Sequence, residues 1–337
     1  MSQAAGFVVL PPGDVYFSGV LDISTSMVGQ GMKKTRLIPM TNESYFKFNG
    51  SDIVVAHFTI SSSLQAVDRN YGFLSFDNVN TPMANIKVFN VGLSAINDGR
   101  NLVLMKGWDT SPITDIVISG IDVSSGRMGV EIIGTNVSNV EICHSRFEVT
   151  GGVNHGMGIS LSCLSSSSFH VHDNTYVNCP YSAIELVGSL NGVHIHDEVF
   201  YEGNERAVRS SNIWNQDDIY IHDVSDMSGG SFDLWACDNA IVRDVTTNGY
   251  FDIRSDGVQL SNLSVTSSAN YAIIFDNSGQ CSVVSSDLST EPSLVNFAVV
   301  RFYGEDSYGN TVDADLTKGF GGSLWDQVNG AANNLVL

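Results

Sequence analysis

Basic residues are scarce in this chain of 337 residues. Lysine and arginine together number 16, against 36 aspartates and glutamates, so the formal net charge is −20. A protein that binds nucleic acid through its phosphates needs the opposite balance, so a nucleic-acid partner is not expected. Lysine occurs only six times, and strong helix formers are few, which excludes a helical bundle.

Long apolar runs and paired cysteines are also missing. No stretch of about 18 consecutive apolar residues occurs, so membrane insertion is not expected. Residues 1–6 lack the basic and apolar regions of a signal peptide. The cysteines are odd in number and have no CxxC spacing, so we expect five buried free thiols: Cys143, Cys163, Cys179, Cys237 and Cys281.

The chain is instead rich in turn formers. It contains 43 serines, 32 glycines and 28 asparagines, close to a third of all residues. Apolar residues reach 43% and aromatic residues 9%, which excludes a disordered acidic chain. This composition favours an all-β protein with many short strands.

A short pattern recurs along the sequence, in which two alternating apolar residues precede a marker residue that is asparagine, aspartate, histidine or glycine. Val193-His194-Ile195-His196-Asp197 and Ile219-Tyr220-Ile221-His222-Asp223 are two clear copies. Asparagine and aspartate suit such a position because they tolerate left-handed backbone angles. Ten marker residues are found: His57, Asn90, Gly120, His144, Asp173, Asp197, Asp223, Asp244, Asn262 and Asp287.

A second apolar run lies between most markers, so each repeat of roughly 20–30 residues holds two or three short strands. Such a unit buries its apolar face only by stacking on its neighbours. The sequence therefore predicts an all-β, single-stranded right-handed parallel β-helix, a solenoid of about 10–12 coils over residues 1–318, with a short end segment at 319–337. A β-sandwich or propeller is the alternative, but Asn-Gly hairpin turns are few and do not recur with each repeat.

The opening segment supports this fold and suggests a family. A strand, a Pro-Gly turn and a second strand are followed by a Gly-x-Gly turn and a Thr-x-Leu strand, in the segments 7–16, 20–23, 27–31 and 35–38. This order resembles the first coils of the pectate-lyase-like superfamily, and in particular the polysaccharide-processing tailspikes of bacteriophages. The opening signature covers about 40 residues, and the repeat extends the resemblance to about residue 290. Tailspikes of this type usually carry attachment and trimerisation regions at their ends, which are not recognised here.

The resemblance implies a depolymerase domain that binds and cleaves a bacterial surface polysaccharide, capsule or O-antigen. It further implies a homotrimer, other virion tail proteins as partners, and a place in the virion tail after synthesis in the host cytoplasm. Enzymes of this family bind substrate along the outer face of one parallel sheet. We expect hydrolysis, with a non-catalytic spike and a polysaccharide lyase or epimerase as the alternatives.

The second strand set supplies an outward column of residues for such a groove. Its members are Glu131, Ser160, Glu185, Arg209, Asp233, Asp252, Ile274 or Asp276, and Arg301. Because neighbouring coils stack about 4.8 Å apart, carboxylates one or two coils apart match either of the separations used by glycosidases. We expect Glu185, Asp233 and Asp252 to act as acid, base or nucleophile. The expected sugar contacts are Arg209, Trp235, Arg254, Arg301 and Tyr303.

Recurring histidines raise the question of a metal. His170, His172, His194, His196 and His222 occupy repeated positions, but the same positions also hold Tyr220 and Arg243. We interpret them as a stacked surface ladder and assign no metal ligand and no cofactor. A lyase would instead use Arg209 or Arg254 as its base, or a calcium held by Asp252 with Asp256 or Asp276.

Overall fold

The computed structural model describes residues 2–4, 6–64, 71–95, 101–149, 151, 156–210, 216–291, 298–318 and 322–337. Across these residues the chain forms 34 strands and no α-helix. Consequently, none of the described segments is a helix able to cross a membrane.

The strands are short and follow one another closely along the chain. In chain order they are β1 Ser2–Ala4, β2 Phe7–Val9, β3 Gly13–Phe17, β4 Val20–Ile23, β5 Ser26–Val28, β6 Thr35–Pro39, β7 Tyr45–Phe48, β8 Ile53–Ser62, β9 Gly72–Asp77, β10 Met83–Ala95, β11 Asn101–Gly107, β12 Ile113–Ser119, β13 Asp122–Ser124, β14 Met128–Thr135, β15 Val137–Cys143, β16 Arg146–Glu148, β17 Met157–Leu164, β18 Ser166–His172, β19 Thr175–Val177, β20 Ser182–Val187, β21 Leu190–His196, β22 Val199–Phe200, β23 Arg206–Ser210, β24 Asp217–Asp226, β25 Ser231–Trp235, β26 Ile241–Thr247, β27 Tyr250–Arg254, β28 Gln259–Ser267, β29 Ile273–Asp276, β30 Ser282–Thr290, β31 Ala298–Tyr303, β32 Thr311–Thr317, β33 Ser323–Val328 and β34 Leu335–Val336.

Two long sheets contain all of these strands. The first sheet joins 21 of the described strands, and the second joins 13, from β4 to β33, each paired with its counterpart in the next coil. Strand pairs are parallel except for β1 with β2. The chain is thus a solenoid of about 12 coils, and the expected parallel β-helix is confirmed. A sandwich or propeller would have required antiparallel hairpins.

Left-handed backbone corners recur in the first sheet. Nine of the ten marker residues have φ between 51° and 64°. A second series of left-handed residues, five positions earlier, accompanies them in successive coils. The ten pairs are Asp52 and His57, Asn85 and Asn90, Asp115 and Gly120, Asn139 and His144, Ser168 and Asp173, Gly192 and Asp197, Asp218 and Asp223, Asn239 and Asp244, Gly257 and Asn262, and Gln280 and Ser285.

The tenth marker was wrong by two residues. Ser285, not Asp287, has the left-handed angle, at φ 51°. The pairing of β30 with β32 shifts between Val284 and Ser286, which is a bulge-type irregularity. Asp287 lies beyond this irregularity, in regular pairing with Ser264. The sequence pattern misplaced the corner because serine is a less distinctive left-handed residue than asparagine or aspartate.

The interior is filled by columns of apolar side chains. Aromatic rings stack from coil to coil, as in Phe147 over Tyr176 and Tyr176 over Phe200, with ring centroids 5.3 and 4.9 Å apart. Each fully buried ring of this size contributes about 1.5–3 kcal/mol through removal from water. The five cysteines are all buried and free, as expected.

The core also contains a polar column. Asn174 accepts a hydrogen bond from the Ser145 amide at 3.0 Å and donates one to Glu198 at 2.9 Å. Glu198 is fully buried, and burial raises its pKa to about 8. The side chain is therefore held largely in its neutral form at neutral pH.

The C-terminal residues continue the sheets. Strand β33 pairs in parallel with β31, and β34 pairs in parallel with β32. Residues 319–321 lie outside the described residues, so the boundary drawn at 318/319 stays a prediction. Residues 323–336 add strands to the same two sheets as the preceding coil.

The corner geometry predicts that Ser285 and Asp287, both exposed on β30, differ in their tolerance of valine. Ser285→Val should lower the free energy of unfolding by about 1–2 kcal/mol, because a β-branched residue is strained at positive φ. Asp287→Val should have little effect, because valine suits an exposed strand position. Urea unfolding of both variants measures the difference, and equal losses would contradict the assignment of the corner.

The buried carboxyl predicts a pH-dependent stability. The pKa of Glu198 is higher in the folded chain, about 8, than its ordinary value of 4.5. The folded state therefore binds the extra proton, and this contribution to stability is lost as pH rises from about 4.5 to 8. Relative to Glu198→Gln, which keeps the shape without the charge, the wild type should lose about 1.4 kcal/mol per pH unit in that window. If the free energy of unfolding depends on pH in the same way in the wild type and in Glu198→Gln, then Glu198 is not the cause of the pH dependence.

Candidate functional site

One column of outward residues runs along the second sheet. Direct pairing joins each member to the next coil. The column is Glu131, Ser160, Glu185, Arg209, Asp233, Asp252, Ile274, Arg301 and Asp326. The register expected from the sequence is therefore found, with Ile274 rather than Asp276 as its member. Asp276 pairs with Tyr303 in the adjacent column that also holds Trp235 and Arg254.

Glu185 lies on β20 near the middle of the column. Its side chain is only 11% exposed. Ser160 donates a hydrogen bond to one carboxyl oxygen and Arg209 contacts the other, each at 3.3 Å. Burial raises the pKa of Glu185 to about 7, and the charge of Glu131 adds to this rise. The hydrogen bond from Ser160 and the charge of Arg206 lower this pKa but do not outweigh burial, so Glu185 is a carboxyl that can carry a proton near neutral pH.

Asp233 lies two coils further along and is the most buried of the three expected catalytic carboxylates, at 3% exposure. Arg206 donates a hydrogen bond from Nε to Asp233 at 2.8 Å and also contacts Glu205 at 2.7 Å. This ion pair gives the buried Asp233 carboxylate a cationic partner. The column thus holds a carboxylate paired with an arginine two coils from a carboxyl of raised pKa.

Asp252 occupies the next coil and binds Arg254 through two hydrogen bonds of 3.1 and 3.0 Å. Burial raises the pKa of Asp252, against the effect of Arg254. Arg254 also contacts Asp276 at 3.2 Å, so its guanidinium lies between the two carboxylates. That is the position in which a calcium held by Asp252 and Asp276 would have to bind.

Trp235 is surrounded by arginines from the strands on either side. The Arg254 guanidinium lies 4.3 Å from the indole centroid, and that of Arg209 lies 5.8 Å away. Arg209 also lies 4.8 Å from the ring of Tyr181. Trp235 therefore orients two arginines, while Arg254, with a side chain 41% exposed, presents the more accessible surface.

The two remaining expected sugar contacts lie two coils beyond Asp252. Arg301 forms two hydrogen bonds with Asp326, at 3.1 and 2.7 Å. Tyr303 is 36% exposed beside it. The structure therefore brings Glu185, Arg209, Asp233, Trp235, Asp252 and Arg254 together, and places Arg301 and Tyr303 at one end of the same face.

Four residues of this site were not predicted: Arg206, Tyr181, Asp276 as a partner of Arg254, and Asp326. Arg206 has a detectable signal, since it belongs to the charged pair Glu205-Arg206 at the start of strand β23. Its contact with Asp233 depends on a register shift between Arg206 and Val208, which strict alternation does not reveal.

A separate cleft of about 550 Å³ lies on the first sheet. Its polar lining includes Asn85, Lys87, Asp115, Asn139, Glu141, His170 and His172. The cleft does not include the carboxylate column, which lies on the other sheet. We place the candidate site at the column, because the buried carboxyl groups are there.

The expected histidine ladder borders this cleft. Rings of His172, His196 and His222 stack with centroids 4.9 Å apart, and His170 stacks on His194 at 5.0 Å. The predicted stacking of these rings from coil to coil is confirmed.

Similar folds are found among solved structures. No family model and no curated protein matches the sequence. The pre-mature gene product 12 of bacteriophage phi29 matches with a TM-score of 0.65 at 11% identity, covering 96% of this chain and 53% of that one. The Agl-KA catalytic domain matches at 0.55 and 12% identity, over 98% and 62% of the two chains. The A-module of the Azotobacter vinelandii mannuronan C-5 epimerase AlgE4 matches at 0.51 and 13% identity, over 98% and 91%.

The chain is a parallel β-helix protein. At these identities the similarity shows the fold alone. The chain spans 53% and 62% of the first two matched proteins. The resemblance inferred from the opening segment is confirmed at the level of this fold.

The Arg206–Asp233 pair predicts a rescue between two substitutions. Arg206→Gln should destabilise the β-helix by about 2 kcal/mol, because it leaves the buried Asp233 carboxylate without its cation, and partial exposure of Arg206 reduces the full cost. Adding Asp233→Asn should restore most of this loss. Arg36→Gln is the matched control, since the Arg36–Asp14 pair is exposed at both ends, and it should leave the melting temperature unchanged. Failure of the double variant to recover would contradict the pairing.

Proposed function

We propose that this protein is a phage tailspike-type depolymerase that binds and cleaves a bacterial surface polysaccharide, capsule or O-antigen, by glycosidic hydrolysis. The observation that carries the proposal is the pair formed by Glu185 and Asp233. One has its pKa raised to about 7 by burial, and the other is held by Arg206. Carboxyl groups in contrasting environments are what acid–base cleavage of a glycosidic bond requires.

In this proposal Glu185 is the general acid. Its proton passes to the glycosidic oxygen as the bond to the leaving sugar breaks. Asp233 accepts a proton from a water molecule, whose oxygen attacks the anomeric carbon. The two residues lie two coils apart, which is about 10 Å along the sheet. Inverting glycosidases use carboxyl groups about 6.5–9.5 Å apart, and the two side chains reach that separation when they lean toward each other.

Asp252 has a supporting role in this arrangement. It lies one coil from Asp233, about 5 Å along the sheet, a separation that also suits a retaining pair. Its two hydrogen bonds to Arg254 leave it less available to a substrate than Glu185. Asp252 therefore positions Arg254, whose exposed guanidinium donates hydrogen bonds to sugar hydroxyls, and Tyr303 extends the sugar-binding surface.

The biological setting of the proposal rests on the family resemblance and on the matched structures. One matched protein is a bacteriophage gene product, and another is a mannuronan C-5 epimerase module. We propose a homotrimer attached to other virion tail proteins, acting at the bacterial surface. The net charge of −20 favours a neutral or weakly charged polymer, unless the arginines of the column bind acidic sugars.

A lyase or epimerase is the second candidate, and Arg209 favours it. Burial lowers the pKa of this arginine, and it lies between Glu185 and Asp233 in the column. A base in that position would remove the proton next to a uronate carboxylate.

A non-catalytic receptor-binding spike is the third candidate function. It is favoured by the arginine contact that each of the three carboxylates makes.

Incubation with capsule and O-antigen from a panel of bacterial strains tests the proposal. On a polysaccharide that the wild type shortens, we expect new reducing ends without unsaturated uronate. Glu185→Gln and Asp233→Asn should each lower the rate by about 10²-fold or more, because each removes one partner of the proton transfer. Asp22→Asn is the control, since Asp22 is an exposed residue of the same sheet at a distant coil.

The outcomes separate the candidates. Absorbance of unsaturated uronates would overturn hydrolysis in favour of the lyase, and a change of uronate configuration without shortening would favour the epimerase. If a polysaccharide binds but neither the wild type nor any variant shortens it, the enzyme proposal is overturned in favour of the receptor-binding spike. Melting temperatures of the two variants close to that of the wild type establish that a loss of rate reflects chemistry.

A further inference from the structure

The first sheet brings three metal-ligating side chains together, away from the carboxylate column. Cys143 on β15 pairs directly with His172 on β18 in the next coil. Glu141 lies two residues before Cys143 on the same strand, and therefore on the same outward face. Within the described residues, Glu141, Cys143 and His172 form a group that could hold one ion, because their three ligand atoms all lie within 4.8 Å of one another.

The distances within the group fit one ion of tetrahedral geometry. The Glu141 Oε1 atom lies 3.3 Å from Nε2 of His172 and 3.6 Å from Sγ of Cys143. Zinc bonds to nitrogen and oxygen are about 2.0–2.2 Å and to sulfur about 2.3 Å, which gives tetrahedral edges of about 3.3 Å and 3.6 Å. Both distances from Glu141 thus match the edges expected around a single ion, and the third pair, Sγ of Cys143 and Nε2 of His172, lies within 4.8 Å.

The imidazole is also oriented for ligation. Nδ1 of His172 lies 2.8 Å from Oδ2 of Asp173, and this hydrogen bond leaves Nε2 directed at Glu141. A carboxylate that fixes the distant nitrogen of a metal-bound histidine is a usual feature of metal sites. Asp173 is one of the left-handed corners, at φ 56°, so the backbone itself sets this contact.

The site has an accessible side. The Glu141 side chain is 46% exposed, whereas that of His172 is 18% exposed and Cys143 is buried. Glu141 and His172 also line the cleft of about 550 Å³ on this sheet. Three protein ligands and an open side leave a fourth position for water or another small ligand.

We propose that Glu141, Cys143 and His172 bind one divalent transition-metal ion of the zinc type, with Asp173 as the positioning residue. The mixture of thiolate, imidazole and carboxylate favours zinc, cobalt or nickel over calcium or magnesium, which prefer oxygen ligands. This proposal does not depend on the hydrolysis proposed for the other sheet.

Cobalt titration of the purified, chelator-treated protein tests the site, because Co²⁺ bound to a thiolate gives a charge-transfer band in the near ultraviolet. We expect one ion per chain with that band in the wild type. Cys143→Ser should abolish the band, and His172→Gln and Glu141→Gln should weaken binding. Zinc should displace the cobalt, and excess calcium should not.

The histidine ladder supplies matched controls. Asp173→Asn keeps a residue that tolerates the left-handed corner and should lower the metal affinity about 10–100-fold. Asp223→Asn makes the same change beside His222, two coils away, and should leave the affinity unchanged, as should His222→Gln. Both aspartates contact their histidines in the same way, at 2.8 and 2.7 Å.

Two results would overturn the proposal. One is the lack of a thiolate band in the wild type at saturating cobalt. The other is binding that survives Cys143→Ser but is lost in His222→Gln, which would show chelation by the ladder alone. Because the readout is metal binding, neither result bears on cleavage of a polysaccharide.

Discussion

The structure depends on a pair of left-handed corners placed five residues apart. Each pair brackets four residues of the first sheet, and ten successive coils repeat it. A residue at positive φ cannot shift along its strand without moving the strain to a neighbour, so the corners fix the register between coils. Backbone pairing, the aromatic stacks of the core and the outward columns follow from that register.

The candidate site is a product of the same stacking. Coils about 4.8 Å apart place acidic side chains next to one another, and burial within the sheet raises the pKa of Glu185 and of Asp252. The three buried carboxyl groups differ in their partners: Asp233 and Asp252 form hydrogen bonds of 2.8 to 3.1 Å with arginines, whereas Glu185 has only a longer contact of 3.3 Å with Arg209. The arrangement of arginines along the column therefore gives chemically similar side chains different environments.

Sequence alone predicted the fold and most of the columns, because both depend on periodic patterns. Nine corners were correct, and so was the register that joins Glu185, Arg209, Asp233 and Asp252. The failures occur where the period breaks. Strict alternation from Arg209 points Arg206 inward with Val208, but the register shift between them turns Arg206 toward Asp233. The metal-ligating group was missed because its members come from two strands and only one fits the histidine repeat.

The constant spacing of the corners has a consequence for how this protein can change. The second corner of one pair is followed by the second corner of the next pair after 33 residues between His57 and Asn90, but after only 18 between Asp244 and Asn262. The segment bracketed by each pair nevertheless always has four residues. The variation in repeat length therefore lies outside the bracketed segments. Such a scaffold can accommodate a longer or shorter connection in one coil while the outward columns keep their register, so a surface that recognises a new ligand can arise by loop exchange.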